Sequence, residues 1–177
     1  MTAFFVLVAL VSTLVIRSNI RHITEVWSPS LEYLQELETM TAKYRIKQYQ
    51  HLVESDAAAM ATCEKENDNI ESQIKDATAK LGEIINSNKK AQQGKADYEK
   101  ATSAWEEYLS TSDEVYKLSR DNKQAEAAKI MIGSAYESYM SFVKQLNTLH
   151  DDFQVELDNA KTLANICTCL LYTSPSP

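Results

Sequence analysis

Apolar side chains recur at alternating steps of three and four residues over two long stretches of this chain, and that spacing restricts it to packed α-helices. Met60, Cys63, Asn67, Ile70, Ile74, Ala77, Leu81 and Ile84 follow the pattern, with Asn67 its one polar member. Ala128, Ile132, Ala135, Tyr139, Phe142, Leu146, Leu149, Phe153, Glu156, Ala160 and Leu163 follow it again, interrupted only by Glu156. A 3.5-residue repeat puts its members on one stripe of a helix, where a neighbouring helix must cover them. A third seam, Tyr98, Ala101, Trp105, Tyr108, Ser112, Val115 and Leu118, keeps the spacing with bulkier aromatics. A fourth, Trp27, Leu31, Leu34, Leu37, Met40 and Tyr44, slips by one residue midway.

Little in the sequence would interrupt such helices. Glycine and proline number 3 each, and Pro175 and Pro177 lie in the last three residues. Sheets need turns rich in these residues, so a strand-based fold is disfavoured. The breaks fall at polar clusters: Ser55-Asp56, Asn86 through Gly94, and Arg120-Asp121-Asn122. Four helices joined by short connections must run antiparallel to their neighbours. The expected fold is therefore all-α, an antiparallel up-down-up-down four-helix bundle with an N-terminal transmembrane helix.

The anchor is read from Ala3 to Ile16, an apolar run interrupted only by Ser12 and Thr13. A full span needs about 20 residues. The run opens without Lys or Arg and meets Arg17 with no small-residue cleavage site, so an uncleaved, N-terminally truncated anchor is expected over residues 1–19 rather than a signal peptide. The sensor domain is expected over residues 20–166. From Cys167 the text turns to CTCLLYTSPSP, whose CLLYTSPSP resembles translated sequencing-adapter read-through, so residues 167–177 read as a non-native tail.

The 25 acidic and 18 basic residues, a net charge of −7, are interleaved along the chain with no basic stripe, which argues against nucleic-acid binding. Cys63, Cys167 and Cys169 lack disulfide or zinc spacing, and His22, His51 and His150 lack metal-ligand pairing. Neither metal nor cofactor is expected. The adjacent acids Glu106-Glu107, Asp113-Glu114 and Asp151-Asp152 point about 100° apart on a helix, so a solvated face is the better reading of each pair. No phosphate loop or nucleophile motif occurs, and the chain reads as non-enzymatic.

The anchor followed by RSNIRHITEVWSPSLEYLQEL, the segment YEKATSAWEEYL, and LSRDNKQAEAAKIM before the last helix together resemble the four-helix-bundle sensor domain of methyl-accepting chemotaxis receptors. The resemblance runs over roughly residues 4 to 166. It implies a periplasmic or extracellular bundle on a bacterial inner membrane, dimeric, between two membrane spans, with a HAMP linker and a cytoplasmic coiled coil to follow. It further implies a signal-input module in which a bound small molecule or ligand-binding protein shifts long helices across the membrane. The alternatives are the same bundle feeding a histidine kinase or a cyclic-dinucleotide enzyme, or a passive membrane-tethered scaffold.

Related receptors bind anions in the region of Arg45 and Lys47. There Arg45, with Tyr44 and Tyr49, has the chemistry to grip a carboxylate and stack on its body, and Trp105 and Tyr108 would line the same cavity. The competing reading makes Arg45 and Lys47 an ordinary charged face and the two aromatics core. Asn67, the polar seam member, is expected to fix register, so Asn67→Leu should raise the melting temperature and broaden the oligomer distribution. Ile20, Ile23, Ile46, Leu52 and Val53 on the first helix, and Met131, Tyr136 and Val143 on the fourth, fall beside their seams. A homodimer through the first and fourth helices is expected to cover them.

Overall fold

The computed structural model describes residues 2–173, with side chains over residues 6–169, and every regular element in that range is a helix. In chain order these are α1 (Thr2–His22), a π-helical turn (Ile23–Trp27), α2 (Ser28–Val53), α3 (Ala57–Ser87), a 3-10 turn (Ala91–Gly94), α4 (Lys95–Ser110), α5 (Ser112–Arg120), α6 (Gln124–Ile132) and α7 (Ser134–Thr173). This is the expected all-α bundle with an N-terminal apolar helix. The expected breaks carry the expected chemistry. Asp56 caps α3, its carboxylate accepting from the Ala59 amide at 2.8 Å. Asn122 takes the left-handed φ of 59° that asparagine tolerates and that turns the chain out of α5. α7 continues through Cys167 and Cys169 to Thr173, while residues 174–177 of the tail lie outside the described range.

The chain forms two compact units, residues 1–32 with 151–177, and residues 33–150. In the first unit, α1 belongs to a helical stretch long and apolar enough to cross a membrane. Val6, Leu7, Leu10, Val11 and Leu14 are each more than half exposed, the surface a lipid-facing helix presents. Thr13, a polar interruption of that surface, donates its hydroxyl to the Ala9 carbonyl at 2.8 Å. Further along the same unit Trp27, fully buried, lies against Phe153 with ring centroids 5.5 Å apart.

The buried stripe of the first bundle helix is more regular than its apolar letters suggest. Trp27, Ser30, Leu34, Leu37, Thr41, Tyr44, Gln48 and His51 are all buried, stepping by three and four without a slip. Leu31 and Met40 are only half-buried. The slip lies earlier, inside the π turn, where the stripe of Ser12, Asn19 and Val26 gives way to one that starts at Trp27. A π turn takes up one residue more than an α turn, which is this offset.

The seam of the fourth bundle helix needs correction in two places. The helix breaks at Gly133, where a Cβ would meet the Lys129 carbonyl oxygen at 2.8 Å, so glycine is the residue that fits the break. Across the break the register shifts by one: Ala127 and Met131 are buried, Ala128 is half-buried and Ile132 is 67% exposed. Beyond Phe153 the stripe passes through Leu157, Ala160 and Cys167 rather than Glu156 and Leu163. An α-helix drifts by about 20° per heptad from a strict 3.5 repeat, and two successive four-residue steps absorb that drift. The same burial corrects the proposed outer face: Leu52 and Met131 belong to a core cluster with Val115 and Ala127.

Candidate functional site

The second unit gathers an unusual amount of polarity onto its buried stripes. Gln48 of α2 donates to the Ser112 hydroxyl at 2.8 Å and accepts from the Tyr108 hydroxyl. One turn on, His51 is fully buried, with Nδ1 2.9 Å from the Ser119 hydroxyl and Nε2 2.9 Å from the Glu64 carboxylate. Arg120 donates to the same Glu64 oxygen at 2.6 Å. Burial pushes the Glu64 carboxyl up, but the bonds from His51 and Arg120 together hold it below its ordinary value. Three bundle helices are thus joined by hydrogen bonds as well as by packing.

Asn67 of α3 is buried as its place in the seam requires, and its amide donates to the Tyr44 carbonyl at 3.1 Å and the Tyr116 hydroxyl at 2.5 Å. Those bonds reverse the sign expected for its replacement. Asn67→Leu removes the donor to a buried tyrosyl oxygen, and the unfolding free energy should fall by about 1–2 kcal/mol. Urea denaturation followed by circular dichroism reads this, and a gain in stability would refute the internal role of the amide.

Arg45, on α2 next to Tyr44, carries the site itself. Its guanidinium lies 5.0 Å from the Tyr139 ring centroid, 5.3 Å from those of Tyr49 and Tyr136, and 6.0 Å from that of Tyr108. These are cation–π distances, and the four rings come from α2, α4 and α7. Nη2 donates to the Tyr49 hydroxyl at 2.9 Å and the Met131 carbonyl at 3.0 Å. Nη1 is buried and has no acceptor among the described residues. Tyr49 and Tyr136 are 37% and 46% exposed, so the cage reaches solvent along that wall.

Of the residues singled out in the sequence, Arg45, Tyr49 and Tyr108 come together. Tyr44 and Trp105 stand behind them as core: Trp105 stacks on Tyr108 at 5.1 Å and meets Tyr44 edge-on at 5.5 Å. Tyr108 is fully buried and also faces the guanidinium. Burial, first of all, raises its hydroxyl well above the ordinary tyrosine range, more than Arg45 lowers it, so it stays a proton donor to Gln48. Lys47 is drawn away from the site by an ion pair with Glu66 at 2.5 Å. Sequence reasoning missed Tyr136, Tyr139 and the Met131 carbonyl as cage members. The first two were legible as a Tyr-x-x-Tyr pair at helical spacing, whereas the carbonyl is exposed to Arg45 next to the Gly133 break, which no periodicity reports.

Among the described residues no group of three His, Cys, Asp or Glu side chains is placed to hold a metal ion. Compared with known families, residues 1–164 match a family described as a four-helix-bundle sensory module for signal transduction. No curated protein matches the chain.

Proposed function

The chain belongs to the four-helix-bundle sensory modules for signal transduction, and from that premise we propose that it is the periplasmic ligand-sensing input module of a bacterial methyl-accepting chemotaxis receptor. The Arg45 cage is its binding site, and a small carboxylate is the ligand class. The observation that carries this reading is a buried guanidinium nitrogen without an acceptor among the described residues, on a side chain ringed by four tyrosines of which Tyr49 and Tyr136 are partly exposed. A carboxylate accepts from a guanidinium fork in a way water reproduces poorly, and tyrosine rings pack on its carbon body. Binding there touches α2 and α7 directly, the helices that contribute to both compact units. A ligand that favours one packing of α2 against α7 would be read out as a shift of those helices.

A homodimer through the first and fourth bundle helices fits the surface. Ile46, Tyr49 and Val53 on α2, Ile132 on α6, and Tyr136 and Met140 on α7 are the exposed large apolar side chains of the second unit among the described residues. No comparable residue falls on α3, α4 or α5 in that set. An apolar patch confined to one side of a bundle marks an interaction surface.

The test is calorimetric titration of the chain in lipid nanodiscs with succinate, benzoate and α-amino acids. Saturable binding of a carboxylate, lost at Arg45→Met, is the expected result, with sedimentation over a hundredfold concentration range showing reversible dimers. Binding that survives Arg45→Met moves the site elsewhere. A strictly monomeric chain, unchanged by ligand, removes the dimer and weakens the receptor reading with it.

A further inference from the structure

A groove of about 360 Å³ lies between α3 and α4, lined by Ile74, Thr78, Tyr98 and Trp105 and by the carboxylates Glu71 and Glu106. That volume suits a small organic molecule. Its walls have a specific local cause. A Cβ on Gly82 would sit 2.4 Å from the Tyr98 hydroxyl, so glycine alone lets that ring lie against α3, where the hydroxyl donates to the Thr78 carbonyl at 3.0 Å. Below the two aromatics lies a small apolar void bounded by Leu37, Leu81, Phe142 and Leu146.

The groove is apolar in its body and acidic in its charge. Lys75 is its one cationic lining residue against two carboxylates. Burial, followed by repulsion from Asp68 and Asp113, holds the Glu71 carboxyl above its ordinary value, with Lys75 opposing. A ligand that brings positive charge would relieve that repulsion, and one that brings negative charge would add to it. Trp105 lines the groove with the small part of its indole left exposed, 7%, an apolar surface against which an aromatic body can rest.

We propose that the α3–α4 groove is a second ligand site, distinct from the Arg45 cage and opposite to it in preference, which takes a small organic monocation: an ammonium group on an aromatic or branched aliphatic body. Glu71 and Glu106 hold the charge, and Trp105, Ile74 and Leu109 hold the body. The two sites share a wall, because Trp105 lines the groove and stacks at 5.1 Å on Tyr108, which faces Arg45. Occupancy of one therefore bears on the packing of the other, and the coupling is reciprocal.

The chain's two tryptophans make the groove directly observable, since in a Trp27→Phe background the tryptophan emission, excited where tyrosine does not absorb, comes from Trp105 alone. The chain in nanodiscs is titrated with 2-phenylethylammonium, 2-phenylethanol and phenylacetate, with empty nanodiscs as the blank. Saturable perturbation of Trp105 by the cation is expected, with the neutral alcohol at least about fivefold weaker and the anion without effect. Glu71→Gln with Glu106→Gln should weaken the cation about tenfold, or ~1.4 kcal/mol. Calorimetry on the chain with both tryptophans present gives the same comparison if Trp27→Phe fails to fold. No saturable binding of the cation by either method, equal binding of the three probes, or an unchanged affinity in the Gln variant overturns the proposal.

Discussion

Tyr108→Ala is expected to destabilise the bundle by about 3–5 kcal/mol, as truncation of a buried aromatic does. Tyr108 has no exposed surface, stacks on Trp105, and has the rings of Tyr44 and Tyr139 at 6.2 and 5.9 Å. The truncation opens a cavity where α2, α4 and α7 meet, and it deprives Gln48 of its hydroxyl donor. Tyr108→Phe separates the two contributions. It keeps the ring and strands only the Gln48 carbonyl, so it should cost about 1–2 kcal/mol. Urea denaturation of both variants, read by circular dichroism, checks the pair; near-equal losses would mean that the hydroxyl, and not the ring stack, holds this junction.

Gly133→Ala should cost about 2–5 kcal/mol, although it adds a single methyl group. The added Cβ collides with the Lys129 carbonyl, backbone that cannot swing aside, so the junction between α6 and α7 must move. The accessible alternative is one continuous helix, and the sequence already contains the seam it would present: Ala128, Ile132, Ala135. Adopting it carries Met131 out of a site where it is fully buried and brings in Ile132, now 67% exposed. Unburying a methionine and repacking Leu52 and Val115 around the newcomer sets the scale. Arg45 would lose the Met131 carbonyl at the same time, so the cage should loosen in step. Ser134→Ala, one residue on and exposed, is the control; comparable losses from the two variants would put the cause outside the Gly133 contact.

How far the sequence could be read depended on which residues made up each stripe. Where burial falls on Ile74, Ala77 and Leu81, the apolar letters and the buried face of α3 coincide; elsewhere on α3 they part, since Ile85 rather than Ile84 is buried and Cys63 and Ile70 are only half-buried. On α2 they do not coincide. Thr41, Gln48 and His51 are buried through hydrogen bonds to a helix carbonyl, Ser112, Tyr108, Ser119 and Glu64, so a search for hydrophobic residues took Leu31 and Met40 instead and invented a slip. The break at Gly133 was hidden for the opposite reason, since the letters on either side continue a perfect heptad that the backbone does not follow. The candidate site was legible in its centre, Arg45 with Tyr49 and Tyr108, because chemistry and helical spacing agree there. The α3–α4 groove was not legible, because its acids Glu71 and Glu106 lie far apart in sequence and converge only through packing.

The π turn at Ile23–Trp27 also bears on insertions and deletions. Removing one residue from that turn would let α1 and α2 run as an uninterrupted α-helix, with Ser12, Asn19, Trp27 and Leu34 falling at heptad intervals on a single face. The same deletion between Leu34 and Gln48 would swing every later side chain by about 100° and bury the wrong residues. Chain length is therefore free to vary by one residue at this turn and fixed along the rest of α2. A one-residue gap between this chain and a relative at Ile23–Trp27 is compatible with identical helix faces on both sides of it.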